Sequence, residues 1–490
     1  KRDGAIASEA KQTLKNKDST EIASLPHLIQ PLARNEEEVL LDVNKIIKKY
    51  SYYGVYGHNI SPNDQIMAYY VDKTGNFELD IYFKDLQTGS MLSDTLHAIT
   101  SLVWANDQIL FYSIQDSITN RSFKIYKHTL GTSHSKDQLI FHEKDPLYDL
   151  YLTKSKSEKY IFINSESSEQ SEYWYLDANT PDAEFKLIHP REKGHLYYVY
   201  HHQNKFCILT DKDAINFKLM ETNINTPSIE NWKEIIPHRE KVMIEEAEIF
   251  RDYLVLTENH RGIYKIRIIS WGSSEEYYIP FEEETYDAYP GFNLDFNTKS
   301  LRYTYVSLTI PYSIYEYNME KKEQKLLKRW EVLGGYDPAQ YRSERLWASA
   351  EDGSKIPISI VYKKGLEKNG QNPVLLEGYG AYGLSSSPNF SSIRLNFLER
   401  GFIYAIAHVR GGSDLGRQWY KDGKLLKKKN TFTDFVACAE HLIKENFTSK
   451  KLIVAKGGSA GGLLVGAVVN MRPDLFKAVI LNVPFVDVIN

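Results

Sequence analysis

Cysteine is almost missing: Cys207 and Cys438 are the only two in 490 residues. That excludes a disulfide framework and a thiolate metal site, and it fits a reducing compartment, the cytoplasm being the simplest expectation. No apolar run approaches the ~20 residues that a membrane helix needs. The first residues are rich in Lys, Ser, Thr and Glu and lack the apolar segment of a signal peptide. Charge of one sign is lacking as well, with 60 Lys+Arg against 64 Asp+Glu and a net charge of −4. A dominant attraction to nucleic acid or to an anionic membrane is therefore not expected. No H-E-x-x-H, C-x-x-C or calcium-loop pattern occurs, so neither metal nor cofactor is expected. Position 1 is Lys, and position 490 follows a strand-like run, VILNVPFVDV. Both ends are expected to be truncated.

What is present divides into two textures. Residues 1–35 are polar and aperiodic, and 1–47 are expected to be an N-terminal extension. Some 290 residues rich in Tyr, Ile, Val and Phe follow, in short runs broken by Asn, Asp, Gly, Ser and Pro. Turn-and-strand units begin near Ser61, Ser101, Asp145, His189, His238 and Asp287. A spacing of about forty to fifty residues matches one four-stranded propeller blade. Six units plus flanking strands predict an all-β propeller of seven blades over 48–332, whose closure would remove exposed sheet edges; a pair of β-sandwiches is the alternative.

The texture changes near Tyr336-Asp337-Pro338. SERLWASAEDGSKIPISIVYKK reads as a hairpin turning at Asp352-Gly353. The continuous apolar runs 373–378, 402–409, 451–456 and 477–483 suit parallel strands buried on both faces. TFTDFVACAEHLIKENF (431–447) repeats apolar residues at helical spacing, with Thr431 and Asp434 as its capping pair. Alternating strands and helices predict a doubly wound, mostly parallel α/β domain over 333–490.

Within it, KLIVAKGGSAGG (451–462) is strand, G-x-S-x-G and helix start, the order of a nucleophile elbow that holds a serine hydroxyl clear of the sheet. Glycines 457, 458, 461 and 462 suit it because the turn leaves no room for Cβ atoms. Ser459 is the candidate nucleophile, and the N–H of Ala460 a candidate oxyanion donor. Gly378-Tyr379-Gly380-Ala381-Tyr382-Gly383 matches a dinucleotide fingerprint, yet Pro388 and a serine cluster stand where the helix should start. A loop that aims the Tyr379 hydroxyl at the oxyanion suits it better, with ordinary loop packing as the alternative. Serine needs a histidine oriented by an acid, in the order Ser, acid, His in this fold. No histidine follows Ser459. Asp474 reads as a surface turn, Asp487 as a weak candidate acid, His408 as a strand residue and His441 as a helix-face residue. The five lysines of 421–429 lack interleaved aromatics and read as a solvated loop.

GYGAYG (378–383), AIAHVRGGSDLGRQWYKDGKLLKKKNTFTDF (405–435) and GGSAGGLLVGAVVNMRPDLFKAVILNVPFVDV (457–488) resemble the prolyl oligopeptidase family of serine peptidases, most closely its oligopeptidase B branch. LLDVN (40–44), IPHREKVMIEE (236–246) and YRSERLWASAEDGSKIPISIVY (341–362) resemble that branch too. The resemblance implies a seven-bladed propeller capping an α/β-hydrolase domain, with Ser459 as nucleophile and Tyr379 and Ala460 as oxyanion donors. It implies that the catalytic Asp and His lie beyond the segment matching Val488. It also places Ser387 and Asn389 where oligopeptidase B carries acids that bind a basic side chain, and Asp414 where Glu is usual. The function implied is a serine oligopeptidase acting on short peptides, after Lys or Arg by analogy, with the propeller as a size filter. An ester or thioester hydrolase, or a catalytically inert propeller interaction protein, stays open.

Overall fold

In the computed structural model, residues 39–48 and 50–487 are described. The expected N-terminal extension lies mostly outside them, apart from a short helix, Val43–Ile47, whose N-cap Asp42 accepts from the N–H of Asn44. The described residues form two compact units, divided between Gly194 and His195.

The first unit holds three four-stranded antiparallel sheets, over 54–96, 99–142 and 149–189. The runs IMAYYVD and LDIYFKD form Ile66–Asp72 and Leu79–Asp85, paired from Ile66↔Asp85 to Asp72↔Leu79. Phe83 and Leu96 of the first sheet pack on Trp104 and Leu110 of the second, whose Phe111 and Ile125 pack in turn with Leu152 and Ile161 of the third. The second sheet thus packs on a neighbour at each face, and the second strand of each sheet, as in IMAYYVD, ILFYSIQ and YIFINSE, is buried along most of its length.

The second unit opens with three more such sheets, over 197–236, 242–278 and 286–329. Six four-stranded sheets lie among the described residues, against seven expected; their starting points follow the spacing read from the turns. The fold is a β-propeller domain followed by a hydrolase domain.

The hydrolase domain is one six-stranded sheet. Its strands are β1 (Tyr341–Ser349), β2 (Lys355–Lys363), β3 (Val374–Gly378), β4 (Ile403–Ala407), β5 (Ile453–Gly458) and β6 (Phe476–Asn482), in the order β1-β2-β4-β3-β5-β6. β1 and β2 are the expected hairpin, with Gly353 at φ +84° in its turn. β4, β3, β5 and β6 run parallel. The helices are α1 (Ser392–Leu398), α2 (Arg417–Lys421), α3 (Lys429–Lys444) and α4 (Ala460–Met471). Phe435, Cys438 and Leu442 of α3 and Leu464 and Val468 of α4 cover one sheet face, while Leu398 of α1 packs with Leu375 and Tyr404 on the other.

Two expectations need correction. Residues 477–483 are not buried on both faces: Val479, Ile480 and Leu481 are all exposed, because among the described residues β6 has a neighbouring strand on one side only. Thr431 and Asp434 do not cap α3, which starts at Lys429 without a side-chain cap. The Thr431 hydroxyl donates instead to the carbonyls of Arg410 and Gly423. Asp434 receives the Arg410 guanidinium at 2.8 and 2.6 Å, a buried pair that pins the loop after β4 onto the helix.

Candidate active site

Ser459 sits between β5 and α4 with φ +52° and ψ −119°, a conformation that costs a non-glycine residue about 1–3 kcal/mol and persists only where its surroundings over-determine it. Its backbone is held accordingly: Ser459 N–H donates to the Asn482 carbonyl of β6 at 3.0 Å, and the Ser459 carbonyl accepts from Gly462 and Phe485 at 2.9 Å each. The side chain is left exposed. Close approach explains the glycines: a Cβ on Gly457 would lie 2.0 Å from the Gly461 carbonyl oxygen, and one on Gly461 2.5 Å from that of Gly378. Gly458 is different, since its added Cβ would meet Asn482 at an ordinary 3.5 Å.

That close approach of α4 to the end of β3 is what brings Tyr379 to the serine. The half-buried Tyr379 stands next to Ser459, near enough for the serine to act on its pKa. Burial, reinforced by neighbouring Tyr382, raises the Tyr379 pKa above 10.0, while the nearby Ser459 acts the other way. The phenol therefore keeps its proton, and its ability to donate, across the neutral range. Ala460 is buried as the first residue of α4, and its N–H is among those a helix cannot satisfy internally. One nucleophile and two donors thus converge at one helix N-terminus, an arrangement suited to negative charge on a carbonyl oxygen.

The expected bystanders fall where the sequence put them. Asp474 is half-buried in the turn after α4 and paired with Lys450 and Arg472. Asp487 is exposed beyond β6, and His441 is half-buried on α3. His408, just past β4, does more than a strand residue: its Nδ1 meets Asp414 at 2.8 Å, its Nε2 meets Ser359 Oγ at 2.8 Å, and the Thr285 hydroxyl donates to Ser359 Oγ at 2.8 Å. The order Ser-His-Asp imitates a triad, but Ser359, His408 and Asp414 are 0%, 1% and 2% exposed, so no substrate can reach them. They tie the sheet to Thr285 beside the propeller strand Tyr286–Pro290. Asp414 also accepts from Ser386 N–H at 3.2 Å, steadying the loop that follows Tyr379. Nothing local marked this network, because its members are brought together only by the sheet.

Burial lowers the pKa of His408 from 6.5, with Asp414 opposing the shift. A histidine held neutral in the fold contributes stability that is full above 6.5 and is lost as pH falls below it, because the unfolded chain then binds more protons than the folded one. Acidification from about pH 7.5 to about 5.5 should lower the unfolding temperature of the wild type more steeply than that of His408→Gln, read by calorimetry.

Ser387 donates to Asp287 at 2.7 Å, and the Asn389 carbonyl accepts from Arg394 at 2.7 Å. Neither position is acidic, but the first leans on a propeller carboxylate.

Residues 13–329 match the prolyl oligopeptidase N-terminal β-propeller domain, and residues 388–490 match the prolyl oligopeptidase family. The chain belongs to the prolyl oligopeptidase family. It is 39% identical to dipeptidyl aminopeptidase BI of Pseudoxanthomonas mexicana over 92% of its own length and 63% of that protein's. It is 37% identical to protease 2 of Moraxella lacunata, over 92% and 66% respectively. The chain therefore spans just under two thirds of each. Among solved structures, oligopeptidase B of Leishmania major superposes with a TM-score of 0.88 at 34% identity, covering 94% of this chain and 66% of that one. Oligopeptidase B of Trypanosoma brucei, in a closed form with covalently bound antipain, gives 0.86 at 35%, with the same coverage. No helix among the described residues of this family member is long and apolar enough to cross a membrane.

Proposed function

We propose that this chain carries the nucleophile and the oxyanion site of a serine oligopeptidase. The observation that supports the reading best is the strained Ser459 turn at the start of a helix packed against the Tyr379 backbone. Ser459 Oγ attacks the peptide carbonyl carbon, and its proton passes to a histidine of a His–Asp pair not contained in these 490 residues. The oxygen gains negative charge and is held by the Tyr379 hydroxyl and the Ala460 N–H. As the C–N bond breaks, the same histidine returns the proton to the leaving amine, and water then releases the acyl group by the reverse path.

Short peptides are the proposed substrates, with the propeller over 48–332 acting as a size filter for the peptidase domain over 333–490. A preference for Lys or Arg before the cleaved bond rests on the likeness to oligopeptidase B. Acids expected at 387 and 389 by that likeness are absent, and Asp287, touching Ser387, is a carboxylate adjacent to the same loop. The test is a panel of short peptides differing only in Lys, Arg, Pro or Leu before the scissile bond, with a folded protein as a further substrate. Cleavage of the Lys and Arg peptides and sparing of the folded protein are expected; equal cleavage of all would remove the basic preference, and degradation of the folded protein would remove the filter.

A further inference from the structure

The basic run 421–429 is not uniformly solvated. Lys427 behaves as a surface lysine, pairing with Asp422 at 2.7 Å. Lys428 is half-buried and turns inward, where its Nζ donates to the Gly380 carbonyl at 2.5 Å. Among the described residues it makes no ion pair. Burial alone pushes its ammonium down to about 8, with no carboxylate offsetting the cost. A half-buried cation without a counter-ion needs a reason, and the place it touches supplies one.

Gly380 follows Tyr379 and is packed so tightly that only glycine fits. It has φ +66°, and an added Cβ would lie 2.4 Å from Thr431 Cγ2 and 2.6 Å from Val409 Cγ2. Its carbonyl oxygen lies 2.0 Å from where a Cβ on Gly411 would stand, so the loop after β4 forms the floor beneath it. That floor is itself fixed by the Arg410–Asp434 pair and by the Thr431 hydroxyl on the Arg410 carbonyl. Lys428 closes the remaining side through a charge-assisted hydrogen bond to this one oxygen. Gly380 is bonded directly to Tyr379, so a shift of the Gly380 backbone would carry the tyrosine with it, and a donor displaced by about 1 Å can cost a reaction as much as 10²-fold.

We propose that Lys428 is a positioning residue for Tyr379, holding the Gly380 carbonyl so that the tyrosine hydroxyl stays aimed at Ser459. The inference rests on the peptidase reading above. It goes beyond that reading by assigning a role to a side chain that meets neither nucleophile nor substrate.

The test is a double-mutant cycle in the complete, active protein, with kcat and KM measured on one short peptide for wild type, Lys428→Met, Tyr379→Phe and the double variant. Lys428→Met should lower kcat by about tenfold or more with KM within about twofold. Because Lys428 acts through Tyr379, the double variant should be no slower than Tyr379→Phe by more than about twofold. Lys428→Arg, which keeps a charged donor, should recover most of the lost rate. Losses that multiply in the double variant, or an unchanged kcat in Lys428→Met, would overturn the proposal. If Lys428→Met fails to fold, Lys428→Gln replaces it in the same cycle and is judged by the same criterion. A wild type without Ser459-dependent hydrolysis would instead sink the peptidase reading and this inference with it; a hydrolysing wild type with additive variants sinks the inference alone.

Discussion

Ser459→Ala should lower kcat on a short peptide by about 10⁴-fold to 10⁶-fold while leaving the unfolding temperature near that of the wild type. The size of the effect follows from the mechanism: no other group is placed to form the covalent intermediate, and what remains is the stabilisation that binding and the two oxyanion donors supply without it. Stability is spared because the side chain is exposed and the backbone ties run through N–H and carbonyl groups that alanine retains. Residual strain at φ +52° persists in the variant, since alanine dislikes that region as serine does. Kinetics with a calorimetric control decide it. A loss of rate matched by a large fall in unfolding temperature would mean that the turn, rather than the nucleophile, had been damaged.

Tyr379→Phe is the second large effect. It deletes one oxygen, keeps the ring that packs beside Tyr382, and should lower kcat by about 10²–10³-fold, or about 2.7–4 kcal/mol, with KM little changed. The reason for the kcat effect is that the donor meets an oxyanion, not the ground-state carbonyl, so its contribution appears only as charge develops. Because burial and Tyr382 raise the phenol above its ordinary value, the wild-type rate should show no loss from tyrosine ionisation up to pH 10.0. A phenylalanine variant with unchanged kcat and a raised KM would make Tyr379 a substrate contact and leave Ala460 as the oxyanion donor.

Local pattern made some of this legible. The elbow could be read because part of its need for glycine is local, as the 2.0 Å approach of Gly457 to the Gly461 carbonyl oxygen shows, while the clearance of Gly461 against Gly378 is not. The β1–β2 hairpin could be read from Asp352-Gly353, and the propeller from turns recurring every forty to fifty residues. The N-cap of α3 could not. Thr431 and Asp434 carry a local capping signature, but Arg410, 24 residues from Asp434, competes for the carboxylate and wins with a buried, charge-assisted contact. The exposure of β6 was hidden because an apolar run looks the same whether or not a neighbour covers it. Ser359, His408 and Asp414 were invisible as a group for a related reason: they meet only after β2 and β4 pair, as Ser359↔Ile406 and its neighbours do. Lys428 was the hardest, since composition describes the run as a whole and does not say which of its lysines turns inward.

The central claim is that Ser459 is the reactive group. Treating the complete protein with a fluorophosphonate and locating the adduct by peptide mass spectrometry tests it most directly. The account predicts phosphonylation of the Gly458-Ser459-Ala460 peptide, at one label per chain, and its absence in Ser459→Ala. An adduct on any other residue, or equal labelling of the wild type and the variant, would contradict it.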